Sequence, residues 1–186
     1  YRWELATVVA GWVFGINPFD QPDVQRAKEL TEGLLAEQRG SGERPQQEAM
    51  GSAGHLLTQA KTGDYLGIHA FVRQTAEVDR ALAGLRKAVA ERHGIATTSG
   101  YGPRFLHSTG QIHKGGPDSG LFLQLTSDHA QDLPVPEEAY TLGVLADAQA
   151  LGDLRALRER GRRAVRVHLG RDVVGGIEEL AKTLGR

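Results

Sequence analysis

Tyr65-Leu-Gly-Ile-His-Ala-Phe-Val72 decides the fold. This short apolar run follows the breaker Thr62-Gly63-Asp64 and reads as a buried strand. A strong helical pattern comes five residues later, over 78–92. Leu82, Leu85 and Val89 share one face there, and Gly94 provides the stop. The same alternation continues downstream. A short strand is predicted over 95–99, a third at Gly120-Leu-Phe-Leu-Gln-Leu-Thr126, and a long helix over 141–160. Ala164-Val-Arg-Val-His-Leu169 is a fourth strand, and 173–184 a closing helix. This order predicts an α/β layer with a mainly parallel sheet and right-handed crossovers. It does not set the strand order.

Working outward, 55–61 reads as a short helix. Residues 38–54 offer almost nothing to bury and are rich in breakers, so they read as a flexible linker. Before them lie two helices. The one over 21–37 is amphipathic. The one over 2–15 carries Trp3, Ala6, Val9, Ala10 and Val13 at helical spacing, widened by Trp12 and Phe14, and is expected to be buried. One neighbouring helix is too little cover for such a surface, so the chain is expected to be a piece of something longer. The expected organisation is therefore 1–37, a linker over 38–54, and an α/β domain over 55–186.

Composition excludes several classes. The 186 residues hold 22 Lys+Arg against 23 Asp+Glu, a formal charge of −1. That balance argues against a general nucleic-acid or anionic-membrane binder. There is no cysteine, hence no disulfide framework and no thiolate chemistry, as expected of a cytoplasmic protein. No run approaches the ~20 apolar residues of a membrane helix.

The chemistry concentrates in two places. The first is Gly15-Ile-Asn-Pro-Phe-Asp-Gln-Pro-Asp-Val-Gln-Arg-Ala-Lys28. Asn17-Pro18 favours a turn, Asp20 is a suitable N-cap, and Pro22 suits a first helical turn. Gln21, Gln25 and Lys28 then share one face, with Ala27, Leu30 and Leu34 on the core side. Two amides and an ammonium can meet an anionic, hydroxyl-rich ligand, because amides bond hydroxyls both ways and lysine supplies a compact charge. A plain solvated face fits the spacing as well.

Asn-Pro-Phe-Asp-Gln-Pro-x-Val-x-x-x-Lys resembles the C-terminal substrate-contacting segment of phosphoglucose isomerases. It is closest to the form fused behind a transaldolase in some bacteria. The resemblance implies that Gln21 lies by the substrate phosphate and that Lys28 helps open the sugar ring and stabilise charge. Many family members have tryptophan-glycine where this chain has Pro22-Asp23, a variation the fused type shares. Gly63-Asp64-Tyr65, the segment Gly100-Tyr-Gly-Pro-Arg-Phe-Leu-His-Ser-Thr-Gly-Gln-Ile-His-Lys-Gly-Gly-Pro117, and Ala148-Gln-Ala-Leu-Gly-Asp-Leu extend the likeness over nearly the whole chain outside 38–54. It implies that 1–37 are the last helices of a sugar-isomerase (SIS-like) domain and that the active site is shared between subunits of a homo-oligomer. The general base, a glutamate in the family, and the ring-opening histidine would lie upstream of these residues.

The second place is 100–119, read as a long loop. It holds five glycines, two prolines and the polar set Arg104, His107, Ser108, Thr109, Gln111, His113 and Lys114. Glycines permit close backbone approach, and hydroxyls beside glycine can help hold a phosphate. Loops of this length are usually functional or disordered. A ligand loop, a subunit contact and a packing loop all remain open for it. His107 and His113 lack the partners of a metal site. Asp128-His129 reads as a capped turn, His55, His69, His93 and His168 as core-edge or surface histidines, and the arginines of 155–163 as a solvated face.

The function expected is therefore part of a glucose-6-phosphate isomerase, needing no cofactor and inactive as the isolated chain. The alternative is a non-catalytic α/β module that binds a phosphorylated metabolite or a partner subunit through 100–119.

Overall fold

The computed structural model describes residues 1–41 and 51–186. Alternation along Tyr65–Phe71 (β1) sends Leu66, Ile68 and Ala70 to one side of the sheet and His69 and Phe71 to the other. Every residue from Leu66 to Phe71 is buried, because helices cover both faces. β1 is flanked in parallel by Ala96–Tyr101 (β2) and Gly120–Thr126 (β3), and β3 pairs in parallel with Arg163–His168 (β4). The order is β2-β1-β3-β4.

The helices before and between the strands are Arg2–Phe14 (α1), Pro22–Ser41 (α2), Ala53–Leu57 (α3) and Ala76–His93 (α4). Those that follow are Gly110–Gly115 (α5), Leu142–Glu159 (α6) and Val173–Leu184 (α7). Local chemistry sets their ends. Thr75, Thr141 and Asp172 accept the amides of Val78, Val144 and Gly175 at the starts of α4, α6 and α7. Gly94 ends α4 at φ 66°, a conformation that favours glycine.

One core face joins Leu66, Ile68, Leu121, Leu123 and Leu125 to Leu82, Leu85 and Val89 of α4 and Ile177 of α7. The other face carries α5 and α6, and α2 packs on α6 through Leu34, Leu35, Val144, Ala148 and Leu151. The α2–α6 approach is close: a Cβ on Gly152 would stand 2.6 Å from Thr31 Oγ1. Arg26 grips Glu159 with two hydrogen bonds of 2.9 and 3.0 Å, and Arg39 pairs with Glu138 above the Tyr140 ring.

Four expectations need correction. The helix expected to be buried over 2–15 forms, but only Gly11 is buried, against Pro18. Trp3 is 86% exposed and Trp12 81%. Residues 38–41 continue α2 rather than starting a linker, because Gln38 is buried and Arg39 is anchored. Gly51 and Ser52 also belong to the folded layer: the Gly51 amide donates to Arg166 O, and Ser52 caps α3. Ala53 and Gly54 open α3, and the remainder of the expected linker, 42–50, lies outside the described residues.

The stretch 100–119 is not a structureless loop. It contains the end of β2, a 3₁₀ turn over Arg104–His107, and α5. Nor is the end of the 155–163 run a plain solvated face: Arg160, Arg162 and Arg163 are engaged, because the end of α6 abuts the start of α2 and the turn before β1. Arg160 pairs with Asp23 at 2.5 Å, Arg162 donates to the carbonyls of Lys114 and Gly116, and Arg163 holds Asp64 at 2.7 Å. Arg163 keeps the Asp64 carboxyl below its ordinary value.

Leu123 is 1% exposed at the centre of the larger core. Leu123→Ala is expected to lower unfolding stability by about 2–5 kcal/mol, read as a reduced urea midpoint with an unchanged denaturant slope.

Candidate functional site

The turn before α2 is built from its own side chains. Asn17 Oδ1 accepts the Phe19 amide at 3.1 Å, and Asn17 Nδ2 donates to Asp20 Oδ1 at 2.8 Å. Asp20 is therefore turned to Asn17, away from the N-cap role its position predicts. The first-turn amide of Asp23 is served from a distance: it donates to Gln111 Oε1 of α5 at 3.1 Å. Gln111 Nε2 returns a hydrogen bond of 2.7 Å to Asp23 Oδ2. Asp23 is 3% exposed, so this exchange and the Arg160 contact are largely shielded from water.

Thus pinned, α2 presents Gln21, Gln25 and Lys28 on one exposed face. With Phe19, Asp20 and Val24 they line an open cleft of about 490 Å³. Ala27 and Leu34 point to the core as their spacing predicts. Lys28 has no ion-pair partner among the described residues. An exposed ammonium flanked by two amides can hold an anion and its hydroxyls.

The polar residues of 100–119 do not converge. Arg104 is exposed and donates to Gln74 at 3.1 Å, Ser108 turns its hydroxyl to Phe105 O, and His107 and Thr109 are exposed. His113 and Lys114 face the other way, into the protein. The reason is the helical turn of α5, which sends them to the sheet and α6.

There they form a buried cluster that the sequence reading missed. Lys114 and Asp153 are both 0% exposed and meet at 2.5 Å. His69 lies 3.4 Å from the other Asp153 oxygen, and its Nε2 is 3.0 Å from His113 Nδ1. Phe105 and Phe122 close over the two imidazoles at ring separations of 4.1 and 5.2 Å. Burial alone pushes the Asp153 carboxyl up, but His69 and the Lys114 ammonium outweigh it and hold it below its ordinary value. Burial, with His69 and Lys114 nearby, lowers His113 from 6.5 to about 3, so its ring is neutral near pH 7.

Two signals could have revealed this cluster. His69 lies inside an otherwise apolar strand, and Asp153 interrupts the apolar face made by Leu151, Leu154 and Leu157. Asp128-His129 likewise reaches across elements instead of capping a turn. His129 meets Asp147 at 2.8 Å, and Asp128 meets His168 at 3.0 Å.

No protein-family model matches this chain, and no curated protein sequence does either. Among solved structures it is similar to hypothetical protein TT0462 from Thermus thermophilus. The TM-score is 0.59 at 17% identity, over 71% of this chain and 38% of that one. The likeness establishes the α/β fold, and this chain spans well under half of that protein's length. Among the described residues no helix is long and apolar enough to cross a membrane.

Removing one partner of a buried ion pair strands the other charge. Lys114→Ala is therefore expected to cost about 3–5 kcal/mol, with part of the loss recovered in Lys114→Met/Asp153→Leu, measured by chemical denaturation. The pH dependence has a definite sign. The unfolded chain protonates His113 near 6.5 and the folded protein only near 3. Its contribution is complete above 6.5 and declines as the pH falls toward 3. Stability measured over that window should fall less steeply in His113→Phe.

Proposed function

We propose that this chain is the C-terminal part of a glucose-6-phosphate isomerase, acting in the cytoplasm, to which it contributes Gln21 and Lys28. The supporting observation is the cleft of Phe19–Lys28 residues, where two glutamines and a lysine with no ion-pair partner among the described residues are displayed together. Those residues also carry the sequence resemblance to phosphoglucose isomerases.

Isomerisation of a sugar phosphate moves a proton between C1 and C2 through an enediol, after the ring opens. Lys28 would supply positive charge at the ring oxygen and at the developing enediolate oxygens. Gln21 and Gln25 would orient the phosphate and hydroxyls through their amides. The general base must be a carboxylate or imidazole poised over the C1–C2 proton. Among the described residues the cleft offers only Asp20, which is engaged by Asn17. The base would therefore come from a covering part of the same polypeptide. The exposed Phe19 at the cleft and the exposed Trp3, Trp12 and Phe14 of α1 offer that part apolar surface. A homo-oligomer would complete the arrangement.

The test is interconversion of glucose 6-phosphate and fructose 6-phosphate by the longer polypeptide carrying these residues. Lys28→Ala is expected to lower kcat by about 10²–10⁴-fold, and Gln21→Ala mainly to raise KM. The 186-residue chain alone is expected to be inactive. Full activity of Lys28→Ala, or turnover by the isolated chain, would overturn the reading.

A further inference from the structure

The strand order contains a switch point that the cleft on α2 does not use. The chain leaves β1 through α4 to reach β2 on one side, and leaves β3 through α6 to reach β4 on the other. These two helices cover opposite faces of the sheet. In open parallel sheets such a reversal leaves a crevice outside the carboxyl ends of the two central strands, and ligands bind there. Here the crevice is present, at about 720 Å³, within the usual range for small-molecule sites.

Its lining is suited to an anion. Arg73 follows β1 and Arg171 follows β4, the strands on either side of β3, and both residues line the crevice. At the spacing of sheet strands, β1 and β4 are about 10 Å apart across β3, a span that two arginine side chains can close on a group seated over the β3 terminus. Arg73 has no partner among the described residues. Arg171 is 93% exposed and 3.9 Å from Asp128, too far for a hydrogen bond. Between them lies Ser127. It is 9% exposed and lines the crevice, and its hydroxyl has no hydrogen-bond partner among the described residues. Val173, in the first turn of α7, also lines the crevice.

The other walls define the rest of the ligand. Phe71, Val72 and Ala146 are apolar, whereas Asp128 and the His129–Asp147 pair can accept or exchange hydroxyl hydrogen bonds. We propose that this crevice is a binding site for a small hydroxyl-bearing phosphomonoester, with Arg73 and Arg171 clamping the phosphate and Ser127 donating to it. The site is separate from the Lys28 cleft and independent of the isomerase reading. Guanidinium–phosphate pairs are charge-assisted and can be bidentate, so they carry most of the affinity.

The test is calorimetric titration of the 186-residue chain with glucose 6-phosphate, inorganic phosphate and glucose. Arg73→Ala, Arg171→Ala, the double variant, Ser127→Val and Lys87→Ala are compared, with circular dichroism as the folding check. Glucose 6-phosphate is expected to bind more tightly than phosphate, and glucose not to compete. Each arginine variant should bind about tenfold more weakly and the double variant about a hundredfold, whereas Lys87→Ala, an exposed position on α4 outside both clefts, should bind as the parent does. Perturbed amide resonances at Ser127 and His129 would place the ligand. No saturable binding up to about 10 mM, binding that survives the double arginine variant, or perturbed amides confined to the Gln21–Lys28 segment would each overturn the proposal. Phosphate binding as tightly as glucose 6-phosphate would overturn its hydroxyl-bearing part. A null result here would leave the Lys28 assay standing, and the reverse also holds.

Discussion

The buried contact between Lys114 and Asp153 holds the second face of the sheet together. Each charge is stripped of water, and each is tolerable only because the other stands 2.5 Å away. The pair fixes the six-residue α5 between β1 and α6. A helix so short has little stability of its own, because nucleation is unfavourable and few hydrogen bonds follow it. The packing of His113 against His69 and the grip of Arg162 on the Lys114 carbonyl complete the hold. From the outer side of the same helix, Gln111 reaches Asp23 and sets the start of α2. The cleft that displays Gln21 and Lys28 is therefore tied, through a short chain of side-chain contacts, to an ion pair inside the domain.

The sheet layer was largely legible in the sequence because its signals are local. Unbroken apolar runs at 65–72 and 120–126, and helices stopped by Gly94 or begun by Thr141, carry their own boundaries. The parallel arrangement followed from alternation. Strand order did not, because placing β3 against β1 depends on which faces α4 and α6 choose, a long-range matter. The short helix within 100–119 escaped notice because its pattern is interrupted by glycines at both ends. Its stability comes from Asp153, thirty-nine residues beyond Lys114.

The functional surface was legible only in part. The Gln21–Gln25–Lys28 face follows from 3.6-residue spacing and is displayed as expected. Its support does not, since Asp23 anchors Gln111 and Arg160, partners eighty-eight and 137 residues away. His113 and Lys114 were grouped with Arg104, His107, Ser108 and Thr109 by sequence proximity, yet one helical turn separates the buried members from the exposed ones. The crevice beyond β1 and β3 has no sequence signature, because its arginines are ninety-eight residues apart and meet only through strand order. The apolar surface of α1 is the reverse case: its composition announces a buried helix, and the fold leaves it open.

The most direct test of this coupling is native-state hydrogen exchange on Asp153→Asn beside the parent chain. If the buried pair holds α5 and α5 holds α2, the amides of His113 and Gly116 and the first-turn amides of α2, Asp23 and Gln25, will lose protection together. Those of β1 and β3 will remain the slowest to exchange. Protection at Asp23 and Gln25 that is unchanged while α5 opens would contradict the account, and would mean that α2 is held by α6 alone.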